Sequence, residues 1–193
     1  KYYPDKERET VSSIEGVYSK YMPGKLRENF YFKYVFLGSM HPKKQLNFIH
    51  SNKIPKHKII SDTILGYIKS SRNDVIKVIN NSRILLINMF EASMLTNEEN
   101  TNCILSSLLS MGPEYIIIKD GAKGVIVASS NYQKIIPAYK KSKVLDTTGA
   151  GDSFSGGFLG YLSTLRSEDL IKAAIYGNAV ASICIESKGI DSL

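Results

Sequence analysis

The chain has 193 residues, 43% of them apolar, and this length and composition indicate one domain with a substantial core and argue against disorder. Its formal net charge is +7, but the lysines are scattered along the chain. The densest basic stretch, residues 140–143, lacks the interleaved aromatic residues that bind single strands, so nucleic-acid binding is disfavoured. The charge favours a solvated surface or the attraction of an anionic substrate.

Membrane and redox signals are weak in this sequence. No apolar run approaches the roughly 20 residues that span a bilayer, and no apolar segment follows the polar start at Lys1. Cys103 and Cys184 lie far apart without a metal-binding spacing, so we expect a reduced, cytoplasmic protein that contacts no membrane. The chain starts without Met and with strand-like residues at once, from which we expect a fragment of a longer protein.

In chain order, residues 1–20 are rich in Tyr, Val and Thr between charges and predict short strands of a small, partly exposed sheet. Short apolar runs that end on polar residues or glycine then alternate with helical stretches. The apolar runs predict buried strands at residues 34–38, 59–60, 84–87 and 115–118. The helical stretches include residues 43–51, 74–81 and 102–111.

The last third of the chain adds a hairpin and two helices. Residues 125–128 and 134–136 predict antiparallel strands after a turn. Long helices are expected at about residues 152–165 and 168–185, the second with Ser167 as its N-cap. Strands that alternate with helices predict one α/β domain whose parallel sheet is covered on both faces, with ligands at the carboxyl ends of the strands.

The most informative motif is residues 146–152, which read DTTGAGD between a strand end and a helix start. Gly149, Ala150 and Gly151 are small, so their backbone can approach a ligand closely, and their N–H groups precede a helix N-terminus. Together they predict an anion site. Asp152 either caps the helix or accepts a proton from a hydroxyl that attacks a phosphorus held by those N–H groups.

This motif, continued by residues 153–158, resembles the signature of the ribokinase-like (PfkB) kinase family almost letter for letter. The resemblance covers residues 34–193. It implies a three-layer, doubly wound, mostly parallel α/β fold in a single domain, with a small β lid in residues 1–20. It also implies that Asp152 is the catalytic base and that the backbone of Gly149–Gly151 is the anion hole for the transferred phosphoryl group.

A second element that carries the resemblance is Asn88-Met89-Phe90-Glu91, which matches the Asn-x-x-Glu element of the family at the end of a strand. The resemblance implies that Asn88 binds the nucleotide and that Glu91 organises the water shell of a Mg²⁺ ion between ATP phosphates. The alternative is an Asn in a turn followed by a Glu in the first turn of a helix.

A third element, residues 119–124 (KDGAKG), matches the family loop that passes over the nucleotide, with Lys119, Gly121 and Gly124 as contacts. An ordinary hairpin turn that uses glycine for positive φ is the alternative. Asn178 matches a position that borders the adenine, and a surface Asn is the alternative.

Two further expectations concern a cation and the packing of the helix after the motif. Asp146 and Thr148 suit a K⁺ site beneath the anion hole, with carbonyl oxygens from the turn at 184–189, although Asp146 could instead brace the loop. The glycines at 156, 157 and 160 are expected to let the helix lie close to the sheet.

Members of the family carry a glycine-rich substrate motif in additional amino-terminal strands and helices, and we expect this sequence to be without them. The resemblance therefore implies the reaction but says little about which acceptor is used. The reaction is ATP-dependent and Mg²⁺-dependent transfer of the γ-phosphoryl group to a hydroxyl of a small sugar or nucleoside. A homodimer through the lid strands is a further expectation. The alternative function is a non-catalytic nucleotide- or sugar-sensing relative, whereas the absence of an initial Gly-x-Gly-x-x-Gly unit disfavours a dinucleotide-dependent oxidoreductase.

Overall fold

A computed structural model of the chain describes residues 16–27, 31–139, 144–164 and 168–188. Its centre is a six-stranded sheet whose strands neighbour one another in chain order. The first four strands are parallel, and the last two add an antiparallel hairpin. The strands are β1 (Val35–Leu37), β2 (Ile59–Asp62), β3 (Ile84–Asn88), β4 (Tyr115–Lys119), β5 (Val125–Ala128) and β6 (Gln133–Ile136).

Helices cover both faces of this sheet, which confirms the predicted α/β fold. They are α1 (Pro42–Ser51), α2 (Leu65–Ser70), α3 (Arg72–Asn80), α4 (Met89–Thr96), α5 (Thr101–Ser110), α6 (Ala150–Thr164) and α7 (Leu170–Cys184). No helix among these described residues is long and apolar enough to cross a membrane.

Successive side chains of each strand point to opposite faces of the sheet, so the core has two layers. In β3, Leu85 and Ile87 pack with α2–α5, whereas Ile84 and Leu86 pack with α6 and α7 on the opposite face. Both sets are fully buried, so the strand reads as a continuous apolar run. The polar residues that end these strands therefore all lie at one edge of the sheet.

The described structure differs from the sequence expectations in a few places. Of the predicted lid strands, only the last residues are described, and Gly16–Ser19 form a 3-10 helix. Residues 144–149 do not form a strand before the motif; instead Leu145 N donates to Ile185 O over 2.8 Å. The N-cap of α7 is Asp169, whose carboxylate accepts from Lys172 N over 2.9 Å, and not Ser167, which lies outside the described residues.

The glycines of α6 serve the contact with α7 rather than a contact with the sheet. A Cβ added to Gly157 would lie 2.8 Å from Val180 Cγ2 and 3.0 Å from Tyr176 O, and one added to Gly177 would lie 2.8 Å from atoms of Phe154. The two helices therefore approach closely only because both glycines lack a side chain. By contrast, the same construction at the glycines at 156 and 160 meets no atom of another described segment within 4 Å, so their predicted packing role is wrong.

Candidate active site

An open cleft of about 320 Å³ lies where β2, β3 and β4 end and α6 begins. Carboxyl ends of parallel strands meet at one edge, which is why residues far apart in the chain meet here. Its lining includes most of the predicted site, namely Asn88, Glu91, Lys119, Thr148, Gly149, Gly151 and Asp152. Asp62, Thr63 and Ser39 also line it.

The turn before α6 has the geometry of an anion site. Gly149 has φ +81°, a conformation that favours glycine. Ala150 N donates to Thr147 O over 3.2 Å, which closes the turn. Within the described residues, the N–H groups of Gly151 and Asp152 donate to no other group, as is usual in the first turn of a helix. These two N–H groups and the positive end of the helix dipole are therefore free for an anion.

Asp152 lies in the first turn of α6, at the edge of the cleft, and its side chain is exposed. The helix begins at Ala150, so Asp152 is not at the cap position. No group in the described parts of the chain forms a hydrogen bond or ion pair with its carboxylate. A carboxylate so placed can accept a proton from a bound hydroxyl.

Glu91 is buried and braces the wall of the cleft. Its Oε2 accepts from Thr63 Oγ1 over 2.7 Å and its Oε1 accepts from Leu65 N over 3.0 Å. Burial raises its pKa above the ordinary value, and the negative charge of Asp62 adds to this, whereas the bonds from Thr63 and Leu65 and the charge of Lys119 oppose it. Because both oxygens already accept hydrogen bonds, Glu91 suits a metal ion held through water better than one bound directly.

Asn88 ends β3 and caps α4. Its Oδ1 accepts from Glu91 N over 2.8 Å. This is the bond of a helix N-cap, which agrees with the alternative of an Asn in a turn before a helix. The same residue lines the cleft, so its cap role and a contact with a ligand are compatible. Asn88 also borders a neighbouring groove that is lined by Phe90, Asp120 and Gly121.

The loop after β4 contains two glycines with positive φ in different surroundings. Gly121 has φ +50° and is exposed, with open space around it. Gly124 has φ +100° and is buried, and a Cβ there would lie 2.0 Å from Ile136 O. The structure thus gives Gly124 a packing reason that is separate from any nucleotide.

Five predicted site residues lie outside the cleft lining, namely Gly121, Gly124, Asp146, Ala150 and Asn178. Asn178 Nδ2 donates to Pro137 O over 3.2 Å and so ties α7 to the segment after β6. Asp146 Oδ1 accepts from Thr148 N over 2.9 Å. This bond braces the loop, which was the alternative to a K⁺ site.

The segment that would supply carbonyl oxygens for K⁺ lies next to this brace. Cys184 Sγ is 3.6 Å from Thr148 O, and Ile185 O already accepts from Leu145 N. Within the described residues, no cluster of three His, Cys, Asp or Glu side chains could hold a metal ion.

The sequence reasoning placed Asp62 at the carboxyl ends of the strands without a specific role and did not consider Ser155. Asp62 lines the cleft, and Ser155 lies buried behind it in α6. Asp62 Oδ2 is 2.7 Å from Lys119 Nζ and 3.1 Å from Ser155 Oγ. The available signal for Asp62 is its position at the end of a buried strand. For Ser155 it is the spacing of four residues from Gly151, which puts it on the same helix face.

Comparison with known proteins identifies the family. The model of the pfkB family carbohydrate kinases matches residues 54–192. An uncharacterized sugar kinase of Archaeoglobus fulgidus is 33% identical over 129 residues, which are 66% of this chain and 50% of that protein. A nucleoside kinase of Methanocaldococcus jannaschii is 32% identical over 119 residues, 62% of this chain and 38% of the relative. A ribokinase of Staphylococcus aureus is 32% identical over 127 residues, 63% of this chain and 40% of the relative.

Solved structures show the same fold. The crystal structure of the Methanocaldococcus jannaschii nucleoside kinase aligns with a TM-score of 0.72 at 28% identity, over 91% of this chain and 56% of that one. A fructokinase from Vibrio cholerae aligns with a TM-score of 0.72 at 20% identity, over 89% of this chain and 59% of its own. The chain therefore spans about half the length of the relatives it matches.

Proposed function

This chain belongs to the pfkB family of carbohydrate kinases, and we propose that it carries the ATP-binding and catalytic part of a kinase that phosphorylates a hydroxyl of a small sugar or nucleoside. The observation that carries the proposal is the cleft where Asp152 and the free N–H groups of Gly151 and Asp152 meet the ends of three parallel strands. An exposed carboxylate beside an anion site is the arrangement that phosphoryl transfer to an alcohol requires.

In this proposal the acceptor hydroxyl lies between Asp152 and the γ-phosphorus of ATP. The oxygen–phosphorus bond to the acceptor forms as the bond to the β-phosphate oxygen breaks, and that oxygen keeps the electron pair. The proton of the hydroxyl passes to Asp152. The N–H groups of Gly151 and Asp152, together with the dipole of α6, stabilise the charge on the transferred group because they are already oriented. The N–H group of Ala150, which was also expected in the anion hole, donates to Thr147 O instead.

The cleft residues also fit a hydrated divalent cation. Mg²⁺ keeps several waters and binds through one or two carboxylates together with phosphate oxygens. Glu91 supplies a carboxylate in the cleft, and its two hydrogen bonds favour contact with the ion through water. When bound, the ion would neutralise phosphate charge. K⁺ at Asp146 and Thr148 remains a prediction, as do nucleotide contacts by Asn88, Lys119, Gly121, Gly124 and Asn178.

The acceptor belongs to one of the two classes named for its relatives, sugars and nucleosides. A cytoplasmic location and a homodimer through residues 1–20 stay predictions. A non-catalytic sensing relative is the alternative function. The carboxylate of Asp152 is exposed and has no partner within the described residues, which favours the kinase over it.

The test has two parts. Calorimetry on the purified chain should show binding of ATP and ADP, and an assay of ADP release should then be run with a panel of sugars and nucleosides. Binding without transfer to any acceptor, in the longest natural form of the protein, would favour the sensing alternative.

In the same assay, E91Q should raise the Mg²⁺ concentration for half-maximal rate, and an unchanged Mg²⁺ titration would leave Glu91 a structural residue.

A further inference from the structure

Asp62 joins three elements at the floor of the cleft. It is the last residue of β2, and its Oδ2 lies 2.7 Å from Lys119 Nζ at the end of β4. The same oxygen is 3.1 Å from Ser155 Oγ in α6, and Oδ1 accepts from Thr63 N over 2.9 Å. The carboxylate is therefore fixed by one charged and two neutral donors, which makes it a rigid anchor.

Lys119 lies directly beneath the glycine turn. A Cβ added to Gly151 would be 3.8 Å from Lys119 Nζ, so the ammonium lies against the backbone that forms the anion site. Its side chain is only 16% exposed. In the described part of the chain, Asp62 is the only acceptor that Nζ contacts, and an ammonium has three donors. Lys119 can thus keep Asp62 and still donate to a phosphate in the cleft.

The charge balance of the cleft makes this placement important. Among its described lining residues, Asp62, Glu91 and Asp152 are acidic and Lys119 is the single lysine or arginine. A polyphosphate entering such a cleft is repelled unless a cation lies near its path. A lysine has a flexible four-carbon stem, so its charge is useful at a defined point only if something holds it there.

We propose that Asp62 is a positioning residue of this site, which holds the Lys119 ammonium beneath the Gly149–Gly151 turn so that it binds the phosphate chain of the nucleotide. The proposal rests on the proposed function and adds a role that acts through Lys119. Asp62 itself does not contact the phosphates in this arrangement. Removal of Asp62 releases Lys119 and so weakens nucleotide binding, although it also removes a negative charge from the cleft.

The experiment is a double-mutant cycle on the affinity for ADP, measured by calorimetry on the full chain in EDTA without added metal. K119M should weaken ADP binding about tenfold or more, because a charge-assisted hydrogen bond is lost. D62N should weaken it about threefold or more. The D62N/K119M double variant should match K119M within about twofold, since without Lys119 there is nothing for Asp62 to position.

A second variant separates position from charge. D62E keeps the carboxylate and moves it by one methylene group, so it should weaken ADP binding in the same direction as D62N. It also decides the matter if D62N does not fold, which a thermal melt reports. Binding of adenosine, which has no phosphates, should be unchanged within about twofold in all of these variants. A general structural defect would weaken adenosine binding as well.

The matched control is the Asp74–Lys77 pair in α3, whose atoms are 3.4 Å apart and which lies away from the cleft. D74N and K77M should each leave ADP affinity as in the wild type and show no coupling. They correct for the change in net charge.

Four outcomes would overturn the inference. These are wild-type ADP affinity in D62E, tighter binding in D62N, additive effects of D62N and K119M, and a D62N defect that appears only when Mg²⁺ is added, which would make Asp62 a metal ligand. A wild-type chain that binds neither ATP nor ADP would overturn the proposed function and the inference with it. Nucleotide binding by the wild type with no coupling in the cycle overturns the inference alone.

Discussion

Two glycine turns of this protein, at Gly149 before α6 and at Gly124 before β5, differ in their surroundings. Both glycines have positive φ, +81° and +100°. At Gly149 an added Cβ would meet only Cys184 Sγ, at 3.7 Å, and the turn opens onto the cleft. At Gly124 it would meet Ile136 O at 2.0 Å, beneath the segment after β6. A glycine in a family motif can therefore be required by the fold alone.

The largest expected effect is on the turnover rate and concerns Asp152, which follows the Gly149 turn. D152N keeps the turn and removes the proton acceptor, so turnover should fall by about 10²–10⁴-fold, the range of general-base catalysis, while ATP still binds. The measurement is ADP release at saturating substrate, with ATP affinity by calorimetry. The matched control is D169N, at the N-cap of α7, where Asn caps as well as Asp. A turnover near that of the wild type would remove Asp152 as the base.

The second effect is on stability and separates the two turns directly. G124A should lower the free energy of unfolding by about 2–6 kcal/mol, because backbone strain and a steric clash with β6 add. G149A should lower it by only about 1–2 kcal/mol, the strain alone, but should weaken nucleotide binding. Urea unfolding and ADP calorimetry on both variants give the two values.

G121A is the internal control for this pair. Gly121 also has positive φ, at +50°, but among the described residues no atom beyond its chain neighbours lies within 4 Å of an added Cβ. The free energy of unfolding that G121A loses should therefore equal the backbone-strain contribution alone. Equal destabilisation by G121A and G124A would show that the clash with Ile136 is relieved by movement, and the comparison would fail.

Much of this fold was predictable because its strands are apolar runs buried on both faces. Residues 84–87 and 115–118 are fully or largely buried, and their polar ends, Asn88 and Lys119, lie together as the rules for parallel sheets require. The helix that was expected from about residue 152 begins at Ala150, so Asp152 lies in its first turn.

The contacts between distant segments were not predictable from one sequence. Asp62 and Ser155 are 93 residues apart, and no local pattern shows that a helix serine faces that strand end. Similarly, Gly157 was expected to face the sheet, because periodicity identifies a helix but does not say which neighbour its small residues meet. Ser167 and Asp169 are both good caps, so propensity could not choose between them.

A third prediction extends the comparison to the glycines of α6. G157A should destabilise the protein by about 1–3 kcal/mol, because the methyl group overpacks the contact with α7. G160A should instead stabilise it by about 0.5–1 kcal/mol, since alanine is the better helix former where there is open space. Thermal melts of the two variants test this. A stabilising G157A would mean that α6 and α7 can separate without cost.

The smallest effect concerns Glu91, which lines the cleft at the Gly149 turn. Its titration should make the stability of the protein depend on pH. Burial and the charge of Asp62 raise its pKa in the folded protein above the ordinary value of 4.5. The folded state therefore holds this proton more tightly than the unfolded chain. The resulting stabilisation is complete below that value and is lost as the pH rises through the raised pKa. E91Q does not titrate there, so the wild type should lose free energy of unfolding relative to E91Q as the pH rises above 4.5. Urea unfolding across that rise in pH measures the difference, with E114Q as the control, because Glu114 is an exposed partner of Arg83. A difference that stays constant with pH would show that the Thr63 and Leu65 hydrogen bonds offset the burial of Glu91, and that its carboxylate carries full charge in the folded cleft.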